Sequence, residues 1–239
     1  MEPEAAYQLD FGQDERRILA MLAKVGFVPR VIFDIGAAVG GWSEMMTNVC
    51  SNAEYHLFEP LGDTLPLYRD GLADRVKRYP NFTAHSVALG DRNGTTMMSV
   101  ADDGYSSSVI DMSGVPGFGV TVPIAQHRLD DYVEAHGLPQ PDLVKIDTQA
   151  TEDLVVAGGE RTLVHARILI IESWFSRGYG PRTPLLTELA ALLRPADFQL
   201  CNLGQQYFSD SHELYAVDAV FAKRAFLDRY AAELPKGRW

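Results

Sequence analysis

Four acids in this chain each close an apolar run. Asp34 follows Val31-Ile32-Phe33, Glu59 follows Tyr55-His56-Leu57-Phe58, Asp147 follows Leu143-Val144-Lys145-Ile146, and Glu172 follows Ala166 to Ile171. A carboxylate in such a place can accept hydrogen bonds from hydroxyls, meet a cationic ligand or take up a proton. Beyond Asp34, Gly36 and Gly40 open a turn that leads toward Trp42 and Ser43. Glycines there remove side chains where a ligand must approach the backbone, and a following helix offers unpaired N–H groups. Glu59 lies about 20 residues beyond the turn, the distance at which an acid reaches a ribose in a β-α-β unit. A G-x-G-x-x-G dinucleotide fingerprint would need glycine at position 38, where Ala38 stands, so an NAD-dependent oxidoreductase is a weaker reading. The plain alternatives are a tight turn without a ligand and a Glu59 that only closes a strand before Pro60.

Asp147, as the end of its strand, is the first candidate for the base that takes a proton from an acceptor, with Glu172 on the neighbouring strand. Glu152 would stand in the first turn of the next helix, so three carboxylates could converge and suit Mg2+ or Ca2+. Against a metal stand the helix dipole for Glu152 and simple hydrogen bonding for Glu172. His127 is a further candidate base near neutral pH, or a structural histidine. Trp174 to Arg182 mixes aromatics with arginines and would form an acceptor wall, unless Trp174 only plugs the core.

Elements that would position these groups follow from the hydrophobic pattern. Ile18, Leu19, Met21, Leu22 and Val25 recur at near-helical spacing over Phe11 to Lys24, with Asp10 as a cap. Helices are expected over 42–49, 65–72, 129–135, 152–163 and 184–193. Strands are expected over 31–34, 55–58, 82–89, 95–100, 121–124, 142–147, 166–171, 198–203 and 218–222, and a polar helical tail to Trp239. The stretch 102–120 is rich in Gly and Ser without periodicity, which suits a lid or binding loop, or else a surface excursion. Alternating strands and helices imply an α/β fold: a mainly parallel sheet with helices on both faces, whose ligand lies outside the strands' carboxyl ends.

At 239 residues the chain fits one domain over 1–239, with 1–30 as a helical N-terminal extension and 174–184 as an acceptor loop. A net charge of −11 with scattered basic residues argues against a nucleic acid partner. No apolar run approaches the roughly 20 residues of a membrane span, and the acidic start Met1-Glu2-Pro3-Glu4 is unlike a signal peptide. A cytoplasmic protein without a membrane partner is expected. Cys50 and Cys201, far apart and without CxxC spacing, are expected to be buried thiols.

Taken in order, Phe33-Asp34-Ile35-Gly36-Ala37 with Gly40, Phe58-Glu59-Pro60, Ala88-Leu89-Gly90-Asp91 with Gly94, Ser107-Ser108, Leu129-Asp130-Asp131, Lys145-Ile146-Asp147 with Glu152 and Gly158, and Glu172 resemble the FkbM-like family of S-adenosylmethionine-dependent methyltransferases. The resemblance spans roughly 31–172. It implies a Rossmann-like class I methyltransferase fold with a seven-stranded sheet. It implies further that Asp34, Gly36, Ala37 and Gly40 line the methionine part of S-adenosylmethionine, that Glu59 holds its ribose beside Pro60, and that residues near Ser86 to Asp91, Ala88 among them, flank the adenine. Asp147 would stand beside the methyl. Ala150 departs from the family's usual glycine, and Asp153 from its usual apolar residue. The activity implied is O-methylation of a hydroxyl on a sugar, glycan or polyketide-like metabolite. The departures leave a second reading, a cofactor-binding partner protein without methyl transfer.

Overall fold

The computed structural model describes residues 13–23 and 26–233. Strands β1 (Val31–Ile35), β2 (Glu54–Phe58), β3 (Phe82–His85), β7 (Leu143–Ile146), β8 (Ile168–Trp174), β9 (Phe198–Phe208) and β10 (Leu214–Lys223) form one sheet in the order β3-β2-β1-β7-β8-β10-β9. Only β10 runs against its neighbours. This is the fold of class I S-adenosylmethionine-dependent methyltransferases, as the sequence implies. The β7 and β8 runs are buried at every position because helices cover both faces, which is why these strands read as unbroken apolar runs.

One face packs Phe33, Val144, Leu169 and Phe221 against helices α4 (Leu129–His136), α5 (Glu152–Gly158), α6 (Glu160–Leu163) and α7 (Leu186–Leu193). The other packs Ile32, Tyr55, Leu143, Ile170 and Val220 with α1 (Gln13–Ala23), α2 (Gly41–Met46) and α3 (Pro66–Arg78). Helix α8 (Arg224–Glu233) follows β10. The Asp10 cap lies outside the described residues, as do Phe11, Lys24, Val25 and the tail beyond Glu233. No helix among the described residues is long and apolar enough to cross a membrane.

Several expectations need correction. The run 82–89 is not one strand: it breaks at Ser86-Val87, and β4 (Ala88–Gly90) leaves for a second sheet of order β4-β6-β5. In that sheet β5 (Gly94–Ala101) pairs antiparallel with β6 (Phe118–Arg128), so the irregular loop is shorter than expected, and His127 lies inside a strand. The helix expected over 152–163 breaks at Gly159, whose added Cβ would meet Leu129 Cδ2 at 2.6 Å. Lastly, Cys50 is buried but Cys201 is exposed on edge strand β9.

Gly158 is where the two sheets lock. A Cβ there would come within 1.7 Å of the Gly90 carbonyl oxygen, a backbone atom that cannot swing away. Gly158→Ala is therefore expected to force α5 off β4 and to cost about 1–3 kcal/mol, the range for an overfilled core. Urea unfolding of the variant checks this, and an unchanged midpoint would show that the contact can relax.

Candidate active site

At the carboxyl end of β1, Gly36 has φ +84°, and a Cβ on it would lie 1.7 Å from Asp147 O, so the turn after β1 touches the loop after β7. Gly40, at φ +83°, would meet Leu57 and Arg75 side chains. Both glycines thus answer close approaches of the protein to itself. The turn's N–H groups are likewise engaged internally: those of Gly36 and Ala37 donate to Phe58 O, and that of Ala38 to Glu59 Oε2 at 3.0 Å. Ala38 itself holds the left-handed conformation at φ +47°. With these donors used, a pyrophosphate finds little to bind, which counts against the NAD reading.

A cavity of about 710 Å3 opens above these strand ends, and Asp34, Gly36, Ala37, Asp147 and Glu172 line it. A narrower cleft continues toward β4, lined by Gly36, Phe58, Pro60, Ala88, Leu89 and Asp147 among others. Asp147 and Gly36 border both. Gly40, Glu59, Glu152 and His127 line neither. His127 lies within β6 with its ring 5.7 Å from that of Tyr132, and the structure does not bring it to the cavity's carboxylates.

Asp34 is buried and accepts a 2.6 Å hydrogen bond from Ser43 Oγ at Oδ2, while Oδ1 has no partner among the described residues. Burial raises its pKa, against the pull of Lys145 and Ser43. Lys145 is the missed residue of the site. It is buried in the middle of β7, its Nζ lies 2.6 Å from Asp147 Oδ2, and it faces the Trp42 ring at 5.9 Å. Burial alone would lower its pKa, but Asp147, Asp218 and Asp34 outweigh that and hold it raised, so the ammonium stays charged.

Gln149 is the second missed residue. Its Nε2 donates to Asp147 Oδ1 at 2.8 Å and to Glu172 at 3.1–3.2 Å, so one amide ties the two carboxylates together. The Tyr179 hydroxyl lies 2.7 Å from Gln149 Oε1 and 2.9 Å from Ser106 O, which fastens the segment after β8 to the loop after β5 across the cavity. Glu172 sits within β8 rather than at its end, and burial with Asp147, Glu152 and Asp218 nearby raises its pKa well above the carboxylate range.

Glu152 does not join this pair. Its Oε1 accepts from Thr148 N, Thr148 Oγ1 and Ala150 N, closing the loop after β7, and burial pushes it up to about 7. That loop keeps its shape although Ala150 replaces the expected glycine, because Gln149 and Ala150 both adopt positive φ. Among the described residues, no three His, Cys, Asp or Glu side chains are grouped so as to hold a metal ion. The three-carboxylate metal site expected from sequence is therefore not assembled.

Glu59 is buried, with Oε1 accepting from Leu61 N at 2.9 Å and Oε2 from Ala38 N, and burial pushes its pKa up to about 7 in spite of both bonds. Trp174 is buried yet lines the cavity, so core plug and cavity wall are both correct. Tyr179, Tyr207, Tyr215 and Asp218 complete the far wall.

The sequence model of the methyltransferase FkbM domain matches residues 34–200. The 2-O-methyltransferase NoeI of Sinorhizobium fredii (strain NBRC 101917 / NGR234) is 27% identical over 192 residues, 74% of this chain and 75% of that protein. Among solved structures, the methyltransferase FkbM from Methylobacillus flagellatus KT superposes with a TM-score of 0.53 at 18% identity. That match covers 81% of this chain but 43% of the other, so this chain spans less than half of that protein.

Proposed function

The chain belongs to the methyltransferase FkbM family and is an S-adenosylmethionine-dependent methyltransferase; from that premise we propose that it methylates a hydroxyl of a sugar or glycan in the cytoplasm. The observation that carries the reading is a floor of acids, Asp34, Asp147 and Glu172, in one cavity walled by aromatic rings. The name of the NoeI relative, a 2-O-methyltransferase, supports oxygen as the acceptor atom.

The residues present fit the cofactor. Asp34 Oδ1, buried and without a partner among the described residues, would take its ammonium. Gly36 and Ala37 would line its methionine part, and Pro60, Ala88 and Leu89 the walls of the adenine cleft. Each Glu59 oxygen keeps a lone pair beyond the backbone bond it accepts, so the carboxylate can still receive a ribose hydroxyl. When bound, S-adenosylmethionine supplies an electrophilic methyl group.

The chain's own residues then have three tasks. Lys145 and Gln149 fix the Asp147 carboxylate from both sides, so Asp147 orients the acceptor hydroxyl. Both its oxygens already have partners, so it is left to position the hydroxyl. Glu172, raised by burial, takes the acceptor's proton on a carboxylate oxygen as the hydroxyl attacks. Tyr179, bound to Gln149 and Ser106, closes the cavity's side and keeps water from competing.

Calorimetry with S-adenosylhomocysteine tests the cofactor half, because the product needs no known acceptor. Micromolar binding is expected, lost in Glu59→Ala. Affinity is also expected to rise from pH 6 to 8, with proton release on binding at pH 7. Empty, buried Glu59 keeps its proton up to about 7, whereas ribose hydroxyls donate to the ionised form, so binding expels that proton. Heats measured in two buffers of different ionisation enthalpy count the protons. No binding by the intact protein would overturn the methyltransferase reading, and affinity flat across this range would remove Glu59 from the ribose.

A further inference from the structure

The acidic floor extends farther than the cofactor reaches. Ile35, Ile146 and Ile171 stand level across β1, β7 and β8, so the residues that follow them, Gly36, Asp147 and Glu172, stand level too. Asp218 on β10 is the direct antiparallel partner of Glu172. At about 4.8 Å per strand, Asp218 lies roughly 10 Å beyond Asp147. In the function proposed above, Asp34 would take the cofactor's ammonium and Asp147 the acceptor hydroxyl. Asp218 is left to something else.

Its surroundings suit a cation. Asp218 is 2% exposed yet lines the cavity; Tyr207 donates to Oδ2 at 3.2 Å, and the Glu15 carboxyl stands within hydrogen-bonding reach of the same group. Over it stand Trp174, Tyr179 and Tyr215. The Trp174 ring lies 5.5 Å from that of Tyr215 at 31° and 5.4 Å from that of Tyr179 at 84°, and Tyr207 follows 6.4 Å from Tyr215. Inclined and perpendicular ring faces of this kind surround a space with negative quadrupole. Trp174 Nε1 is buried without an acceptor among the described residues, a donor kept for an oxygen of the ligand. Lys145, a cation that acts on Asp218, is engaged by Asp147, and Glu15 on α1 adds a further acid beside Asp218.

We infer that this end of the cavity is a cation subsite, and that the acceptor is an amino sugar or similar amino alcohol whose protonated amine neighbours the methylated hydroxyl. The inference rests on the methyltransferase reading. Glu172 and Asp218 are one strand apart, so a hydroxyl at the first and an ammonium at the second belong on adjacent carbons of one ring. A carboxylated or phosphorylated acceptor meets repulsion here, and a neutral one gains no charge pairing with Asp218.

The test uses protein saturated with S-adenosylhomocysteine, followed by calorimetry and by quenching of tryptophan fluorescence. Tetramethylammonium, a methyl glycoside of glucosamine and its N-acetylated counterpart are the probes. Saturable tetramethylammonium binding is expected, with the free amine bound about tenfold more tightly than the N-acetyl form. Asp218→Asn should abolish that preference, and Tyr215→Leu should weaken tetramethylammonium several-fold. Equal affinity for the amine and the N-acetyl form, absence of tetramethylammonium binding, or a preference that survives Asp218→Asn would each overturn the inference. Failure of S-adenosylhomocysteine itself to bind marks the separate failure of the methyltransferase reading, and this inference falls with it.

Discussion

Glu172→Gln is expected to lower kcat by about 10² to 10⁴, the usual worth of a positioned base, while the affinity for S-adenosylhomocysteine changes little. The two candidate carboxylates differ in their neighbours. Asp147 is held at one oxygen by Lys145 Nζ at 2.6 Å and at the other by Gln149, so both its oxygens already have partners. Among the described residues Glu172 receives only the Gln149 amide, and its burial among Asp147, Glu152 and Asp218 favours the protonated form. A carboxylate that binds its proton tightly is the better acceptor, and glutamine keeps the shape and the bond from Gln149. The rate of the unmodified enzyme should also climb with pH as Glu172 ionises, and this rise should vanish in the variant. A loss below tenfold would place the proton elsewhere, and Asp147→Asn would then carry the larger effect.

Much of this arrangement is legible in the amino-acid sequence. Buried parallel strands announce themselves as short apolar runs, and Asp34, Glu59 and Asp147 are conspicuous because an acid ending such a run sits at a mouth where ligands bind. Lys145 is legible on the same ground: a lysine inside a fully buried strand demands acidic partners. What escapes is anything set by pairing between distant segments. Residues 82–89 read as one strand because no glycine or proline interrupts them, while the break at Ser86 follows from β4 finding β6 about 40 residues away. Pro123 disguises the middle of β6, and it is tolerated because β4 spans only Gln126 to Arg128 opposite, leaving one side of β6 open there. Tyr207, Tyr215 and Asp218 reach the cavity through the reversed direction of β10, which carries no local signature.

Lys145→Met is expected to cost about 3–5 kcal/mol of stability at pH 8, the loss that follows when one partner is removed from a buried ion pair. Lys145 is the buried cation that faces Asp34, Asp147 and Asp218, and it lowers the pKa values of Asp34, Glu172 and Asp218 that burial raises. Without it these carboxyls bind protons more tightly in the folded chain than in the unfolded one. Stability then falls as pH rises above the ordinary carboxylate range, because folding must hold protons that the solvent is removing. At pH 5 more of the acids are protonated and fewer charges lack a partner, so the deficit against the unmodified protein should shrink. Urea unfolding at both pH values gives the comparison. An equal deficit at pH 5 and 8 would mean that methionine fails by shape rather than by charge. A deficit under about 1 kcal/mol would mean that the acids around Lys145 are already neutral.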